Sequence, residues 1–314
     1  MRTAQLGSTG PAISVVGFGA WEAGGMAWGP NPSDEQTIEA MTTAFDKGMT
    51  WIDTAEVYGG GRSEKLVAQA VAERDDILVF TKLAAKPAGS GFHPAGVRTG
   101  AEASLKRLGR DVIDLYQLHW PDRDEGNPIE ETWEAMAALV DDGLVRWIGV
   151  SNFDQELIER CEKIRHVDSL QPHFSMLHQD GRDDLFSFCA ENGTGIIAYG
   201  PLGYGLLTGA FTKDTKFGDD DWRSGKHGMG AYDELFSPGK FEKNLAVVDA
   251  LRPVADRLDV TLAQLALAWV VHQTGVTGAI AGSRSPSHVA DNADAGTVTL
   301  EDKHLEEIEK ILGS

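Results

Sequence analysis

The sequence alternates short apolar runs with longer amphipathic segments over 314 residues. Residues 2–15 form two extended pieces around a turn cluster at 7–11, which predicts a hairpin. After residue 20, a segment of helical spacing lies between every two consecutive apolar runs. Parallel strands require long crossover connections of this kind, so the pattern predicts an α/β fold with a parallel sheet.

Eight apolar runs have the length and composition of buried strands. They cover residues 15–19, 51–53, 77–82, 112–119, 145–150, 169–172, 195–199 and 276–281. Helices are expected at 33–48, 63–72, 96–108, 129–143, 157–164, 184–192, 241–258, 261–272 and 300–312, with a short helix before the last. Because no linker interrupts this alternation, it favours one (β/α)8 barrel, or TIM barrel, over residues 1–314 rather than an open sheet. The hairpin would precede the barrel, and long loops would lie at its C-terminal face.

Local signals mark some helix starts and some unusually long loops. Ser33 with Gln36, and Thr261 with Gln264, have the spacing of capping boxes. Three loops, rich in Gly with Trp or Pro, are expected at 21–32, 87–94 and 200–240. Loops longer than a connector requires commonly bind or enclose a ligand, so 21–32 is a candidate binding loop and 200–240 a candidate cofactor and substrate loop.

The charge of the chain excludes one class of function. Its 28 basic residues are outnumbered by 48 acidic residues, which gives a formal net charge of −20. Nucleic-acid binding needs a basic face, so no nucleic-acid partner is expected. The acidic residues are spread over many helices, which indicates a solvated surface; a salt-rich habitat would also fit.

Apolar runs and cysteines indicate the compartment. No run reaches the roughly 18 apolar residues of a membrane span, and the first residues lack the apolar core of a signal peptide. Cys161 and Cys189 lie in separate helical segments without metal-ligand spacing. We therefore expect a cytoplasmic protein with no membrane partner.

Titratable side chains stand at the ends of three consecutive predicted strands. Asp53, Lys82 and His119 close the second, third and fourth runs, and Tyr58 follows Asp53 in the next loop. Taken singly, such an Asp is more often a loop anchor and such a Lys commonly faces solvent. In a barrel, however, these strand ends converge at one mouth, so the four side chains become neighbours. The set lacks His-x-His and His-Glu-x-x-His spacing, so no metal is expected.

Proton donation by a phenol is the chemistry that this set favours. A tyrosine with its usual pKa of about 10 is a poor acid at neutral pH, and a nearby ammonium lowers that pKa. Lys82 would supply the charge, and Asp53 would hold Lys82 in place and keep it protonated. His119 would donate to the substrate oxygen.

Longer motifs contain these residues, and with them the sequence resembles the aldo-keto reductases over essentially its whole length. The motifs are Asp53-Thr54-Ala55-x-x-Tyr58-Gly59, Thr81-Lys82, Leu118-His119-Trp120-Pro121-Asp122, Gly149-Val150-Ser151-Asn152-Phe153, Gln171-Pro172 and Tyr199-Gly200-Pro201-Leu202-Gly203. The resemblance implies a nicotinamide cofactor, usually NADPH with NADH possible, extended across the barrel mouth without a Rossmann domain. It also implies a catalytic tetrad of Asp53, Tyr58, Lys82 and His119.

The resemblance further implies the cofactor contacts. Ser151, Asn152 and Gln171 would hydrogen-bond the nicotinamide carboxamide, and Tyr199 would stack on its ring. The other contacts, along the pyrophosphate, the 2′-phosphate and the adenine, are expected from Gly200, Pro201, Leu202, Gly203, Gly205, Gly282, Ser283, Arg284, His288, Asp291 and Asn292.

Three positions depart from the family pattern. Gly200 stands where many members carry Ser, Gly282 where they carry a basic residue, and His288 where they carry Arg or Gln. A neutral His is a weaker phosphate partner than Arg, so the expected preference for NADPH rests mainly on Arg284. Part of the missing charge is expected from the long loop, at Lys213, Arg223 or Lys226.

The substrate pocket is expected to have aromatic walls from Trp21 and Trp120, with Trp28 and Phe92 as further candidates. Such walls accept many small aldehydes and ketones and specify none. The expected function is reduction of these carbonyl compounds to alcohols, with NADPH as hydride donor and Tyr58 as proton donor. The alternative is a nicotinamide-binding regulatory or redox-sensing subunit with slow turnover, resembling the β subunits of potassium channels. The oligomeric state is left open.

Overall fold

A closed barrel of eight parallel strands forms the centre of the computed structural model, which describes residues 1–85, 92–121, 127–228 and 230–313. The strands are β1 (Thr3–Gln5), β2 (Ala12–Ser14), β3 (Val16–Gly19), β4 (Trp51–Asp53), β5 (Leu78–Leu83), β6 (Ile113–Leu118), β7 (Val145–Ser151), β8 (Ser169–Gln171), β9 (Gly195–Ala198) and β10 (Val276–Ile280). The barrel closes in the order β10-β3-β4-β5-β6-β7-β8-β9, so the predicted (β/α)8 barrel is confirmed.

The antiparallel hairpin of β1 and β2 closes one end of this barrel. Its side chains Leu6 and Ile13 are fully buried and pack with Trp51 and Phe80 in the barrel interior. The indole Nε1 of Trp51 donates to the backbone oxygen of Ser14 at 2.8 Å. Because Trp51 is the first residue of β4, the hairpin covers the amino-terminal end of the strands. The opposite end, where barrel enzymes carry their chemistry, stays open.

With the exception of a short helix at 231–234, the helices pack their apolar faces on the outside of the barrel, where the largest hydrophobic cluster lies. They are α1 (Asp34–Asp46), α2 (Arg62–Ala70), α3 (Pro94–Leu108), α4 (Ile129–Asp141), α5 (Gln155–Glu162), α6 (Asp184–Asn192), α7 (Ala231–Glu234), α8 (Lys240–Leu258), α9 (Leu262–Val271), α10 (Pro286–Asp294) and α11 (Asp302–Leu312). Both predicted capping boxes are present, at Ser33 before α1 and at Thr261 before α9. Within the described residues, no helix is long and apolar enough to span a membrane.

The stretch 200–240, which was predicted to be a long loop, contains short helical segments. Two turns of 3-10 helix, Gly203–Thr208 and Trp222–Ser224, and the short α7 lie within it. Most of the predicted loop 87–94, and Asp122 of the fourth-strand motif, lie outside the described residues.

The long stretch is joined to the loop between β3 and α1 at the carboxyl end of the barrel. Trp28 and Asp221 form an antiparallel bridge, and the backbone N–H of Trp222 donates to the oxygen of Ala27 at 2.8 Å. These backbone bonds hold two loops together that are almost 200 residues apart in sequence. The two predicted binding loops therefore form a common cover over the barrel mouth.

Substitution of Gly17 tests the packing around Trp51. A Cβ at Gly17 would lie 2.1 Å from Cε2 of Trp51, so Gly17→Ala must displace the indole. We expect the variant to lose about 1–3 kcal/mol of free energy of unfolding, measured by urea titration. The control is Gly96→Ala in α3, where a Cβ would meet nothing closer than 3.9 Å. This control should be neutral or gain up to about 1 kcal/mol, and equal losses in both variants would contradict the packing.

Candidate active site

The carboxyl ends of the strands surround a cavity of about 990 Å³. Asp53 ends β4, Ser151 ends β7 and Gln171 ends β8, while His119 directly follows β6. The residues predicted for the tetrad, the cofactor contacts and the aromatic walls line this cavity, with the exception of Lys82, Gly203 and Phe92. Within the described part of the chain, no group of three or more His, Cys, Asp and Glu side chains is placed to hold a metal ion.

Lys82 lies behind the cavity wall and is fully buried. Its ammonium donates to the Asp53 carboxylate, to the backbone oxygen of Thr54 at 2.9 Å and to the hydroxyl of Tyr58 at 3.5 Å. The second carboxylate oxygen of Asp53 accepts from the Gln171 amide at 2.9 Å. Burial lowers the pKa of Lys82 and raises that of Asp53, while the attraction between the two charges opposes both shifts. The structure therefore brings the predicted carboxylate, ammonium and phenol into one hydrogen-bonded group.

The phenol of Tyr58 faces the cavity at the end of this group. Burial raises the pKa of Tyr58 well above its usual range, and the negative charge of Asp53 raises it further. The expected lowering of this pKa by Lys82 is therefore not found, because burial has the largest effect and the Asp53 carboxylate, which pairs with the ammonium, acts in the same direction. Tyr58 keeps its O–H at neutral pH, which is the state that a proton donor requires.

His119 lies beside Tyr58, with ring centroids 5.7 Å apart and an edge-to-face angle of 76°. Burial lowers the pKa of His119 well below its usual value, and the Lys82 charge lowers it further. The imidazole is therefore neutral near pH 7 and carries one N–H, so it can donate one hydrogen bond to a group in the cavity.

Side chains predicted to bind the nicotinamide are bonded to one another. The hydroxyl of Ser151 donates to the backbone oxygen of Gln171 at 2.8 Å, and the Asn152 amide donates to the backbone oxygen of His119 at 3.1 Å. The Asn152 side-chain oxygen accepts from the Tyr199 hydroxyl at 2.8 Å. Since Asn152 has φ of 64°, its side chain is directed by a left-handed backbone that Asn tolerates better than most residues.

Two histidines support Tyr199. The rings of His173 and Tyr199 stack with centroids 5.2 Å apart and an angle of 15°, and His178 stacks on His173 at 4.1 Å. Burial lowers the pKa of His173 to about 3, with a further contribution from His178. His173 therefore covers one face of Tyr199, and His178 packs on the far side of His173.

Arg284, the main candidate for binding the 2′-phosphate, is engaged with the loop between β3 and α1. Its guanidinium donates to the backbone oxygen of Pro30 at 2.8 Å and forms an ion pair with Glu22 at 3.2 Å. Burial raises the pKa of Glu22, although Arg284 and Arg223 act in the opposite direction. Sequence reasoning missed Glu22, because nothing near it in the sequence indicates a cationic partner so far along the chain.

The other candidate charges are partly paired. Arg223 lines the cavity and forms an ion pair with Asp221 at 2.6 Å, whereas Lys226 pairs with Asp219 on the surface. The carboxylate of Asp291, expected near the adenine, accepts from the side chains of Thr261 at 2.9 Å and Gln264 at 2.8 Å. Of the long-loop cations named from sequence, the structure thus brings Arg223 to the cavity.

Two departures from the family pattern have steric reasons in the structure. A Cβ at Gly282 would lie 2.3 Å from the backbone oxygen of Gly19, so β3 and the loop after β10 approach too closely for a side chain. Gly200 has φ of +68°, and a Cβ there would lie 2.8 Å from Cδ2 of His173. The glycine at 200 therefore makes room for the imidazole that supports Tyr199.

Aromatic side chains form much of the cavity wall. Trp21, Trp28 and Trp120 line it, whereas Phe92 is buried in the main hydrophobic core instead. Tyr204 and Tyr232 also line the cavity, and sequence reasoning missed both. Tyr204 lies between the predicted cofactor contacts Gly203 and Gly205, which was the one signal that could have identified it.

The barrel and its grouped carboxylate, phenol, ammonium and imidazole are those of a TIM-barrel oxidoreductase. A family model described as Aldo/keto reductase family matches residues 15–313. The chain belongs to the aldo/keto reductase family.

Curated relatives match over nearly their full length. The chain is 34% identical over 321 residues to the aldo-keto reductase YhdN of Bacillus subtilis, covering 99% of this chain and 94% of the relative. It is 31% identical over 320 residues to the NADH-specific methylglyoxal reductase of Escherichia coli, covering 96% and 95%. It is 30% identical over 330 residues to a probable voltage-gated potassium channel subunit beta of Arabidopsis thaliana, covering 100% and 97%.

Solved structures share the fold to the same extent. A glycerol dehydrogenase from Gluconobacter oxydans superposes with a TM-score of 0.87 at 32% identity, covering 99% of this chain and 95% of that chain. An aldo/keto reductase from Klebsiella pneumoniae, in complex with NADP and acetate, superposes with a TM-score of 0.74 at 28% identity, covering 98% and 96%.

The stacked histidines predict an effect on acid stability. The pKa of His173 is about 3 in the folded protein, so as the pH falls the unfolded chain, with its ordinary pKa of about 6.5, binds this proton first. The neutral imidazole contributes its full stability above about pH 6.5, and this contribution is lost as the pH falls toward 3.

We therefore expect His173→Gln to make the fall in free energy of unfolding between about pH 6 and 4 shallower, by up to about 1.4 kcal/mol per pH unit. Urea titrations across this range measure the slope. The exposed His227 provides the control, and His227→Gln should keep the wild-type slope. An unchanged slope in His173→Gln would show that this imidazole does not resist protonation.

Proposed function

We propose that the protein reduces aldehydes and ketones to alcohols with a nicotinamide cofactor, NADPH in preference to NADH, and that Tyr58 is the proton donor. The observation that carries this proposal is the fully buried Lys82, whose ammonium bonds to Asp53 and approaches the Tyr58 hydroxyl within 3.5 Å. A buried ammonium is costly unless paired, so its position beside the only phenol in this group needs a functional reason.

The cavity fits a nicotinamide cofactor in size and in the chemistry of its walls. Its volume of about 990 Å³ allows a ligand of dinucleotide size, and its walls run from the tetrad to Arg284 and Asn292. Ser151, Asn152 and Tyr199 would hold the nicotinamide, with Gln171 bonded to both Ser151 and Asp53. When bound, the cofactor supplies the hydride.

The remaining contacts would hold the other end of the cofactor. Backbone groups of 200–209 would lie along the pyrophosphate, where several glycines have positive φ. Arg284, Ser283 and His288 would face the 2′-phosphate, and Asp291 and Asn292 the adenine.

Residues of the chain would supply the proton that the substrate oxygen receives. Tyr58 would donate its O–H to the substrate oxygen as negative charge develops there, and the adjacent Lys82 ammonium would stabilise the phenolate that remains. Asp53 fixes the ammonium in place. The neutral His119 would donate its N–H to the same substrate oxygen and orient it.

We also propose that the protein works in the cytoplasm. Cys161 and Cys189 are both buried free thiols, and burial raises the pKa of each to about 12. Such thiols are unreactive and suit a reducing compartment.

Removal of the phenol hydroxyl is the direct test. Tyr58→Phe should lower kcat for aldehyde reduction by about 10²–10⁴-fold and leave the Kd for NADPH unchanged, because the ring stays and only the proton donor is lost. Cofactor absorbance measures turnover, and fluorescence quenching measures binding. Tyr116→Phe, which alters a buried phenol on the outer side of the barrel, should keep wild-type values. If the wild type binds neither NADPH nor NADH, the proposal fails.

Substitution of Arg284 tests the cofactor preference. The loss of a charged hydrogen bond to phosphate costs about 1.5–3 kcal/mol, so Arg284→Gln should raise the Kd for NADPH about 10-fold or more. The Kd for NADH, which lacks the 2′-phosphate, should change less than about 3-fold. Arg257→Gln removes an exposed ion pair with Glu307 and serves as the control. Equal effects on both cofactors would exclude Arg284 as the 2′-phosphate contact.

A redox-sensing subunit is the second candidate. It is favoured by the similarity to a potassium channel subunit beta, which extends over 97% of that relative. Tight cofactor binding with little turnover that depends on Tyr58 would support the sensor rather than the reductase.

A further inference from the structure

An ion pair stands at the end of the cavity proposed for the 2′-phosphate of the cofactor. Its carboxylate is Glu22, in the 3-10 turn Glu22–Gly24 that follows β3, and its guanidinium is Arg284, in the loop that follows β10. Both residues line the cavity, and Nε of Arg284 lies 3.2 Å from the carboxylate. The proposed function gives Arg284 a role at the 2′-phosphate, whereas Glu22 has none.

Glu22 and a phosphate in this position would depend on the same side chains. Glu22 is 23% exposed, and within the described residues it forms an ion pair with Arg284 alone. Burial raises the pKa of Glu22. The charges of Arg284, Arg223 and His288 lower this pKa. Two of these three side chains, Arg284 and His288, are also proposed to face the 2′-phosphate.

The guanidinium of Arg284 already faces two oxygen atoms of the loop between β3 and α1. Its Nε pairs with Glu22, and its Nη1 donates to the backbone oxygen of Pro30 at 2.8 Å. An arginine binds phosphate best through two of its nitrogens at once. Such a contact has to include Nε or Nη1, because only Nη2 lacks a hydrogen bond or ion pair within the described part of the chain. The phosphate and this loop therefore compete for one guanidinium.

The nearby charges cancel at this end of the cavity. Arg284 is matched by Glu22. Arg223 is matched by Asp221 at 2.6 Å, and its guanidinium carbon stacks 4.8 Å from the ring centroid of Phe217. A 2′-phosphate, which is a monoester with a charge of about −1.5 to −2 near pH 7, would therefore enter a site where these four charged groups sum to zero.

We propose that Glu22 competes with the 2′-phosphate for Arg284 and thereby weakens the preference of the protein for NADPH over NADH. Resting on the proposed nicotinamide function, this competition makes Glu22 a further specificity-determining residue. Binding of NADPH has to draw Arg284 away from Glu22 and leave a partly buried carboxylate beside a phosphate. NADH carries a neutral 2′-hydroxyl instead, which leaves the ion pair intact and can donate to Glu22. Repulsive elements set specificity together with attractive ones.

Substitution of Glu22 by its neutral isostere tests the competition. Glu22→Gln keeps the shape of the side chain and frees Arg284, so the Kd for NADPH should fall about 3- to 10-fold, the effect of one partly exposed charged contact. The Kd for NADH should not fall, because its hydroxyl does not need the guanidinium. Fluorescence quenching of the cofactor-free protein measures both constants, so the result does not depend on turnover.

Two fragments of the cofactor locate the effect. Adenosine 2′,5′-bisphosphate and adenosine 5′-monophosphate differ only in the 2′-phosphate. Isothermal titration calorimetry measures the Kd of each fragment. In Glu22→Gln, the Kd for the bisphosphate should fall about 3- to 10-fold, and the Kd for the monophosphate should not fall.

Two further variants complete the design. In Arg284→Gln the shared guanidinium is absent, so the addition of Glu22→Gln should change the Kd for NADPH less than about 2-fold. Glu130→Gln is the matched control, because it removes a partly exposed ion pair with Arg160 between α4 and α5, outside the cavity lining. It should leave the Kd of both cofactors unchanged. Thermal unfolding of each variant establishes that it is folded.

Three outcomes overturn the inference. Equal falls in the Kd for NADPH and for NADH would mean that the ion pair hinders any cofactor. An unchanged or raised Kd for NADPH would mean that Glu22 does not compete with the phosphate. An undiminished gain in the Arg284→Gln background would mean that Glu22 does not act through the guanidinium. Failure of the proposed function is distinguishable, because the wild type would then bind neither cofactor or show no turnover that depends on Tyr58.

Discussion

The ion pair between Lys82 and Asp53 is the interaction on which the rest of the site depends. Transfer of an ammonium into the interior costs several kcal/mol unless hydrogen bonds compensate for it. Here the Asp53 carboxylate and the backbone oxygen of Thr54 accept from it, and Gln171 satisfies the second carboxylate oxygen. These partners come from β4, β5 and β8, so a shift in the register of any of the three strands would leave a buried charge unpaired. The barrel and the proton-donating group are therefore specified together.

A second buried and paired charge lies on the outer side of β5. Thr81, next to Lys82, donates at 2.8 Å to the fully buried carboxylate of Glu64, and Arg107 from α3 pairs with that carboxylate. The negative charge of Glu64 raises the pKa of Lys82, against the larger effect of burial. Helices α2 and α3 thus hold the strand that carries the ammonium with charged as well as apolar contacts, and the pKa of Lys82 is affected by carboxylates on both sides of the sheet.

The cover of the barrel mouth has a different physical basis. Trp28 is bridged to Asp221, and Arg284 links the loop after β10 to Glu22 and Pro30. The bridge joins two buried residues, whereas the ion pair of Arg284 and Glu22 is partly exposed, and partly exposed ion pairs contribute little stability. The loop after β10 is therefore held more weakly than the proton-donating group that lies beneath the cover. This combination suits an enzyme that must keep its chemistry fixed while a large cofactor enters and leaves.

The sequence by itself determined the alternation of strands and helices, the hairpin and the capping boxes, because these depend on periodicity and on residues three or four positions apart. It also placed Asp53, Tyr58, Lys82 and His119 together, since the ends of parallel strands must meet at one face of a barrel. Only the tertiary structure decided how these groups affect one another: burial, together with the charge of Asp53, raises the pKa of Tyr58 and leaves it a neutral phenol. The ion pair of Arg284 with Glu22 also appears only in the tertiary structure. The same is true of the positions of Tyr204 and Tyr232 at the cavity. Such contacts join loops far apart in the chain, and no local pattern records them, because loop positions follow from the packing of the whole barrel.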